Sequence, residues 1–225
     1  MKKASDQLPD LSDFEKTFGG VEFATEEEIK ELRSQQKDRQ LICRADVAMS
    51  AVNKIIPPVF QDTDLALLPE EQYRKCKKYI EILMGENDKQ KHGLILHGTT
   101  GTCKTRICWE LVKLLAKNGI VPKFETSVSM QESLTSSFGK KERDKIVGEF
   151  KNTTFLFIDD WGKEKSTERW ESDLFDILDY RFSWKKNTIF TMNTTGHEIL
   201  KKFIDPEAGQ AIKRRMVEFC YAVAF

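Results

Sequence analysis

The sequence predicts an α/β protein in which a parallel sheet is flanked by helices, preceded by a short helical N-terminal extension. Three observations carry this. Short apolar runs alternate with long amphipathic stretches from about residue 93 onward, and strands separated by helices of that length need crossover connections, hence parallel pairing. Each polar motif falls directly after an apolar run, where ligands sit in open parallel sheets. Ahead of this region, residues 25–56 contain neither Pro nor Gly.

Residues 1 to about 25 are polar and acidic with a Gly19-Gly20 break, and read as a flexible arm. "TEEEIKELRSQQKDRQLICRADVAMSAVNKI" then opens with Thr25 followed three residues later by Glu28, a capping-box start for one helix or two. Pro57 and Pro58 in "IIPPVF" end it, because proline forces an extended backbone before itself. A second helical stretch runs from Pro69 to Met84. "GLILH" reads as a buried strand, "KTRICWELVKLLAKNG" as a helix stopped by Gly119, and "VPKFETS" as a strand. Residues 127–150 read as mainly helical, "TTFLFIDD" as an apolar strand and "STERWESDLFDILDYRFSWK" as an amphipathic helix. "NTIFTMN" supplies another strand, and two helical pieces are expected to finish the chain.

Composition narrows the function classes. In 225 residues there are 36 Lys plus Arg and 36 Asp plus Glu, so no global basic field points to nucleic acid and any such contact must be local. No apolar run approaches the roughly 18 residues of a membrane span, and the charged start "MKKASDQLPDLSDFEK" lacks the apolar core of a signal peptide. A cytoplasmic protein without a membrane partner is expected. The five cysteines form no CxxC pair, which favours reduced thiols over a zinc site or a disulfide framework.

The chemistry gathers in four places. "GTTGTCKT" meets the pattern GxxxxGK[ST] except that Cys103 replaces the second glycine. This chemistry needs backbone N–H groups turned around a phosphate, a lysine for the terminal phosphates and a hydroxyl for magnesium. The candidate ATP-binding set is therefore Gly98, Thr99, Thr100, Gly101, Thr102, Cys103, Lys104, Thr105 and Arg106. A β-carbon at Cys103 is expected to weaken binding rather than block it. "FLFIDDW" places Asp159 and Asp160 at the tip of an apolar strand, costly unless they serve a cation or each other. Asp159, with Thr105, is expected to hold Mg²⁺, and Asp160 to orient the attacking water. Asn193, ending "IFTMN", can hold that water or begin a turn. Arg214 and Arg215 in "AIKRRMVEF" can stabilise phosphoryl-transfer charge in trans, or simply form a solvated basic helix face.

Together these motifs resemble the AAA+ P-loop NTPases, and within them the DnaC-like replicative helicase loaders, over roughly residues 55–220. The segment "FLFIDDWGKEKSTERWESDLFDILDYRF" is similar to the loaders' Walker B strand and the run after it, here Gly162, Glu164, Lys165, Thr167 and Glu168. "IIPPVF" resembles the Ile-Pro-Pro start of their nucleotide domain, with Val59 where a basic residue is common. "TIFTMNTT" resembles sensor 1, with Asn193, and "AIKRRM" the arginine-finger helix, with Arg215 at the finger. The resemblance implies a slow, partner- or DNA-stimulated ATPase that uses ATP and Mg²⁺ and associates with itself in a ring or spiral. It further implies a replicative DNA helicase hexamer and single-stranded DNA as partners. On this reading residues 1–54 are a helicase-docking extension and 55–225 the ATP-binding domain. Single-stranded DNA would meet the insertion "VSMQESLTSSFGKKERDKIVGEF", where Phe138, Lys140, Lys141 and Arg143 join an aromatic ring to positive charge; a solvated amphipathic helix is the other reading of these residues. IstB-like transposition helpers share this architecture, and a non-hydrolysing adaptor is a third reading.

Overall fold

A computed structural model describes residues 25–85, 91–137, 139–193, 198 and 202–225. The expected N-terminal arm and Phe138 lie outside the described residues. The chain divides into two compact units, Met1–Leu41 and Ile42–Phe225. In the first, helix α1 (Glu26–Asn53) begins. Its sequence there is polar on every side, and Ile29, Leu32 and Leu41 are exposed. The helix ends at Asn53 rather than Ile56, and a turn from Ile55 N to Val52 O leads into Pro57.

The second unit continues through a one-turn helix α2 (Pro58–Gln61), a 3₁₀ turn (Leu65–Leu67) and helix α3 (Glu70–Met84) to strand β1 (Gly93–His97). Then follow α4 (Lys104–Lys117), β2 (Lys123–Thr126), α5 (Ser127–Thr135), α6 (Lys140–Asn152), β3 (Phe155–Trp161), α7 (Glu168–Ser183), β4 (Asn187–Met192), α8 (Pro206–Phe219) and β5 (Cys220–Ala224). The strands lie in the order β2-β3-β4-β1-β5 and every neighbouring pair is parallel. The expected parallel sheet flanked by helices is thus the fold found. Because successive side chains of a strand face opposite ways, β3 feeds two cores. Phe155 and Phe157 pack with α3, α4 and the end of α1, whereas Leu156 and Ile158 pack with α5, α6, α7 and α8. Strands buried on both faces read as unbroken apolar runs, which is why "FLFI" was legible. No described helix is long and apolar enough to cross a membrane.

One expectation fails. The chain does not end in helix: Cys220–Ala224 is a fifth strand, pairing Gly93 with Cys220 and His97 with Ala224. No Gly or Pro separates α8 from it, so "FCYAVAF" continues the helix's apolar pattern in the sequence. Only the otherwise unpaired edge of β1 decides that these residues extend.

A buried guanidinium ties the elements at the amino end of the sheet. Arg181 of α7 is wholly buried and donates to the α6 carbonyls of Phe150 (2.7 Å) and Lys151 (3.3 Å), to Thr153 O (2.9 Å), to Asn187 O (2.5 Å) and to Thr188 Oγ1 (2.8 Å). It thereby caps α6 at its C-terminal, partly negative end and fixes the starts of β3 and β4. The sheet's carboxyl edge, where the polar motifs sit, inherits its register from this anchor.

Candidate functional site

The loop after β1 is built on unusual backbone angles. Gly98 has φ 147°, and a Cβ there would lie 2.4 Å from the carbonyl oxygen of Phe225, which runs alongside as its N–H bonds to His97 O at 2.9 Å. Gly101 has φ 87°. Cys103, immediately before α4, has φ 64° and ψ 15°, the left-handed region, where a residue with a β-carbon carries about 1–2 kcal/mol of strain. The glycine of the motif would carry none. Thr102 Oγ1 closes the loop onto Thr99 O at 2.9 Å. Thr99, Thr100 and Gly101 are exposed at its tip, ahead of the helix N-terminus, a combination that suits an anion.

Lys104 reaches back through this loop. It is 5% exposed, and its ammonium donates to Gly98 O (3.0 Å), Thr99 O (2.6 Å) and Thr102 Oγ1 (3.1 Å). Burial pulls its pKa down, partly offset by the charges of Asp160 and Asp159. Arg106 turns elsewhere: its Nη1 donates to Val59 O at 3.2 Å and its guanidinium lies 5.3 Å over the Phe60 ring. Of the expected binding set, the loop and Lys104 converge, while Arg106 fastens α4 to the proline-containing segment. Cys103→Gly should relax the loop, raising thermal stability and tightening ATP binding up to about fivefold, on the scale of ~1 kcal/mol of backbone strain. Titration with a fluorescent ATP analogue measures this, and unchanged affinity would show that the loop holds cysteine without cost to the ligand.

The carboxylates owe their placement to an irregularity in β3. Ile158 pairs with Phe190, but Trp161 pairs with Met192, so β3 carries one residue more than β4 across this interval. Asp160 absorbs the extra residue at φ 56°. Such bulges re-aim side chains at functional sites. Trp161 returns to the core, and Asp159 and Asp160 both remain at the carboxyl edge. Asp159 is 4% exposed; Thr105 Oγ1 lies 3.0 Å from each of its oxygens, and Thr191 Oγ1 donates to its Oδ1. Burial raises the Asp159 pKa, the neighbouring Asp160 adds to this, and the two threonine hydrogen bonds oppose it. Asp160 Oδ1 accepts from Asn193 Nδ2 at 2.9 Å and Oδ2 from Lys163 Nζ at 2.6 Å. Its N–H donates to Thr191 Oγ1 (2.8 Å), and its carbonyl accepts from Ser127 Oγ (3.0 Å).

Thr105 and Asp159 form a hard oxygen pair that could hold Mg²⁺. Among the described residues no group of three or more His, Cys, Asp or Glu side chains gathers around a metal-sized point. A cation there would take its other ligands from water and phosphate, as Mg²⁺ commonly does.

The structure separates other expected residues from this centre. Arg215 pairs with Asp179 near the end of α7. Its helix then enters β5, whose first residue pairs with Gly93, the first of β1. Arg215 therefore lies at the amino edge of the sheet, across from the loop, and Arg214 beside it is exposed. Arg143 is not free to meet DNA as expected. It forms a two-pronged pair with Asp173, which is 3% exposed, and a buried charge left without its partner is strongly destabilising. Lys141 and Lys145 of the same helix are exposed.

Sequence reasoning missed Thr191, Lys163 and Glu171. Glu171 is 3% exposed and accepts from Ser166 Oγ and from the backbone N–H groups of Ile204 (2.6 Å) and Asp205 (3.0 Å), which lead into α8. Only Thr191 left a signal, a hydroxyl inside the apolar run "IFTM".

Comparison with known proteins gives the family and the fold. The family profile of IstB-like ATP binding proteins matches residues 24–225. A protein named for ATP binding in an insertion sequence of Mycobacterium tuberculosis is 22% identical over 130 residues, 58% of this chain and 52% of that relative, so the match spans about half of the relative's length. The crystal structure of DnaI superposes with TM-score 0.64 at 21% identity, covering 76% of this chain and 94% of that one. The DnaC helicase loader superposes with TM-score 0.55 at 18% identity, covering 75% and 94%.

Proposed function

The chain belongs to the IstB-like ATP binding protein family, and from that premise we propose that it is an ATPase that delivers a replicative DNA helicase onto single-stranded DNA. The observation that carries the ATPase reading is the joining of loop and strand tip: Thr105 rests on both oxygens of Asp159, next to the Asp160–Asn193 pair. In this reading the loop N–H groups and Lys104 bind the phosphates, and Thr105 with Asp159 holds Mg²⁺, which when bound neutralises charge developing on the phosphoryl oxygens. Asp160 orients the attacking water and draws its proton, and Asn193 fixes the Asp160 carboxylate. Arg215, too far from its own loop, would serve the loop of a neighbouring copy.

The loader reading is supported by the fold shared with DnaI and the DnaC helicase loader. A second reading, a transposition helper, is favoured by the family itself and by the insertion-sequence relative. Pull-down by the full chain with ATP, offering the replicative helicase and a transposase from the same genome, separates them. Retention of the helicase alone supports the loader, and retention of the transposase alone replaces it with the helper. Failure to bind ATP at millimolar concentration would remove the ATPase reading and leave an adaptor.

A further inference from the structure

We propose that Lys163 is a latch on Asp160, its ammonium occupying one carboxylate oxygen until a phosphodiester strand draws it off. This rests on the reading of Asp160 as the group that orients the attacking water. Three observations lead to it. Both carboxylate oxygens of Asp160 are engaged, one by Asn193 at 2.9 Å and the other by Lys163 at 2.6 Å, so the lysine ammonium stands where a water would otherwise approach that oxygen. The Asp160 main chain cannot swing to escape, because Thr191 and Ser127 hold its N–H and carbonyl and its φ is 56°. With the main chain fixed and Asn193 holding the other oxygen, the exposed lysine is the partner freest to move.

Lys163 is suited to that movement. It sits one residue beyond Gly162, which turns the chain at φ 94°. That turn is fastened independently of the lysine side chain: Gly162 N donates to Glu164 Oε2 at 2.9 Å, and Gly162 O accepts from Lys202 Nζ. The Lys163 side chain is 53% exposed against 30% for Asp160, so its ammonium can leave without disturbing the turn. Exposed ion pairs of this kind are weak and screened by salt, which makes the latch easy to open. Lys165 and Arg169 are exposed along the following segment, and Lys202 reaches the same turn. Glu164 and the exposed Glu168 lie between these cations and leave the segment only slightly positive, but the spread of Lys163, Lys165 and Arg169 along it favours an anionic polymer over a single small anion. The ligand class is the sugar-phosphate backbone of single-stranded nucleic acid, read without regard to sequence.

The test compares ATP turnover by the full chain and by Lys163→Ala, Lys163→Arg and the double variant Lys163→Ala/Asp160→Asn, each with and without single-stranded DNA or heparin. Lys163→Ala should raise basal turnover roughly fivefold, the scale of an exposed ion pair, and abolish stimulation by DNA while leaving affinity for an ATP analogue unchanged. Lys163→Arg should keep both the low basal rate and the stimulation, and the double variant should lose the gain. Stimulation by DNA and heparin alike would assign the effect to the anionic backbone, whereas stimulation by neither overturns the proposed ligand. Turnover of Lys163→Ala equal to or below the parent's, with ATP still bound, overturns the latch. If every variant including the parent binds ATP without hydrolysing it, both the latch and the ATPase reading are refuted. If the parent hydrolyses ATP and the double variant does so as fast as Lys163→Ala, the role of Asp160 fails on its own.

Discussion

Asp160→Asn is expected to lower ATP turnover by about 10²–10⁴-fold, the usual contribution of a positioned acid–base group, while ATP binding stays within about twofold of the parent. The substitution is unusually clean at this position. Asparagine has the size of aspartate and tolerates the left-handed region better than most residues, so the φ of 56° poses no obstacle. The groups proposed to meet the phosphates, the loop and Lys104, make no hydrogen bond to the Asp160 side chain. What is lost is the charge, and with it the capacity to draw a proton from water. Single-turnover hydrolysis, set against equilibrium binding of an ATP analogue, separates the two effects. Turnover within threefold of the parent would place the catalytic carboxylate elsewhere and remove the role proposed for the Asp160–Asn193 pair.

Arg181→Leu is expected to have the largest effect on stability, about 3–5 kcal/mol, with a buried unsatisfied carbonyl costing roughly 1–3 kcal/mol. Leucine fills part of the volume but donates nothing to the carbonyls of Phe150, Thr153 and Asn187. Arg181→Lys should recover only a minor part of this, since an ammonium cannot spread planar donors over several directions at once. Urea unfolding followed by circular dichroism measures both, with m unchanged if the native state keeps its extent. A loss below about 1 kcal/mol for Arg181→Leu would mean that water or a shifted main chain satisfies these carbonyls. The functional corollary is indirect. A destabilised start of β3 and β4 loosens the strands whose far ends carry Asp159, Asp160 and Thr191.

Arg181 illustrates what sequence reading cannot reach. Within "DILDYRF" it looks like one more charge on an amphipathic helix, and nothing in the spacing distinguishes it from Arg169, which is exposed. Its burial follows from three chain segments, at residues 150–153, 181 and 187–188, meeting at one end of the sheet. Arg143 makes the converse point. Its place in a basic stretch suggested contact with DNA, yet Asp173 lies 30 residues further on and takes it up. Charge runs specify how many cations are present, and tertiary contacts decide which are already spent.

By itself the sequence determined the parallel α/β fold, the strands other than β5, and the meeting of the phosphate loop with the acidic strand tip. These rest on local chemistry: apolar runs long enough for a buried strand, helix-breaking Pro and Gly, and a loop pattern whose lysine and hydroxyl act on the ligand next to them. Only the tertiary structure decided that Cys220–Ala224 extends beside β1, that the register slip at Asp160 keeps both carboxylates at one edge, and that Lys163 closes on Asp160. Each depends on a partner strand or side chain supplied by the fold. Hydrogen-bond partners that pairing brings together carry no periodicity along the chain, and so leave no trace in its sequence.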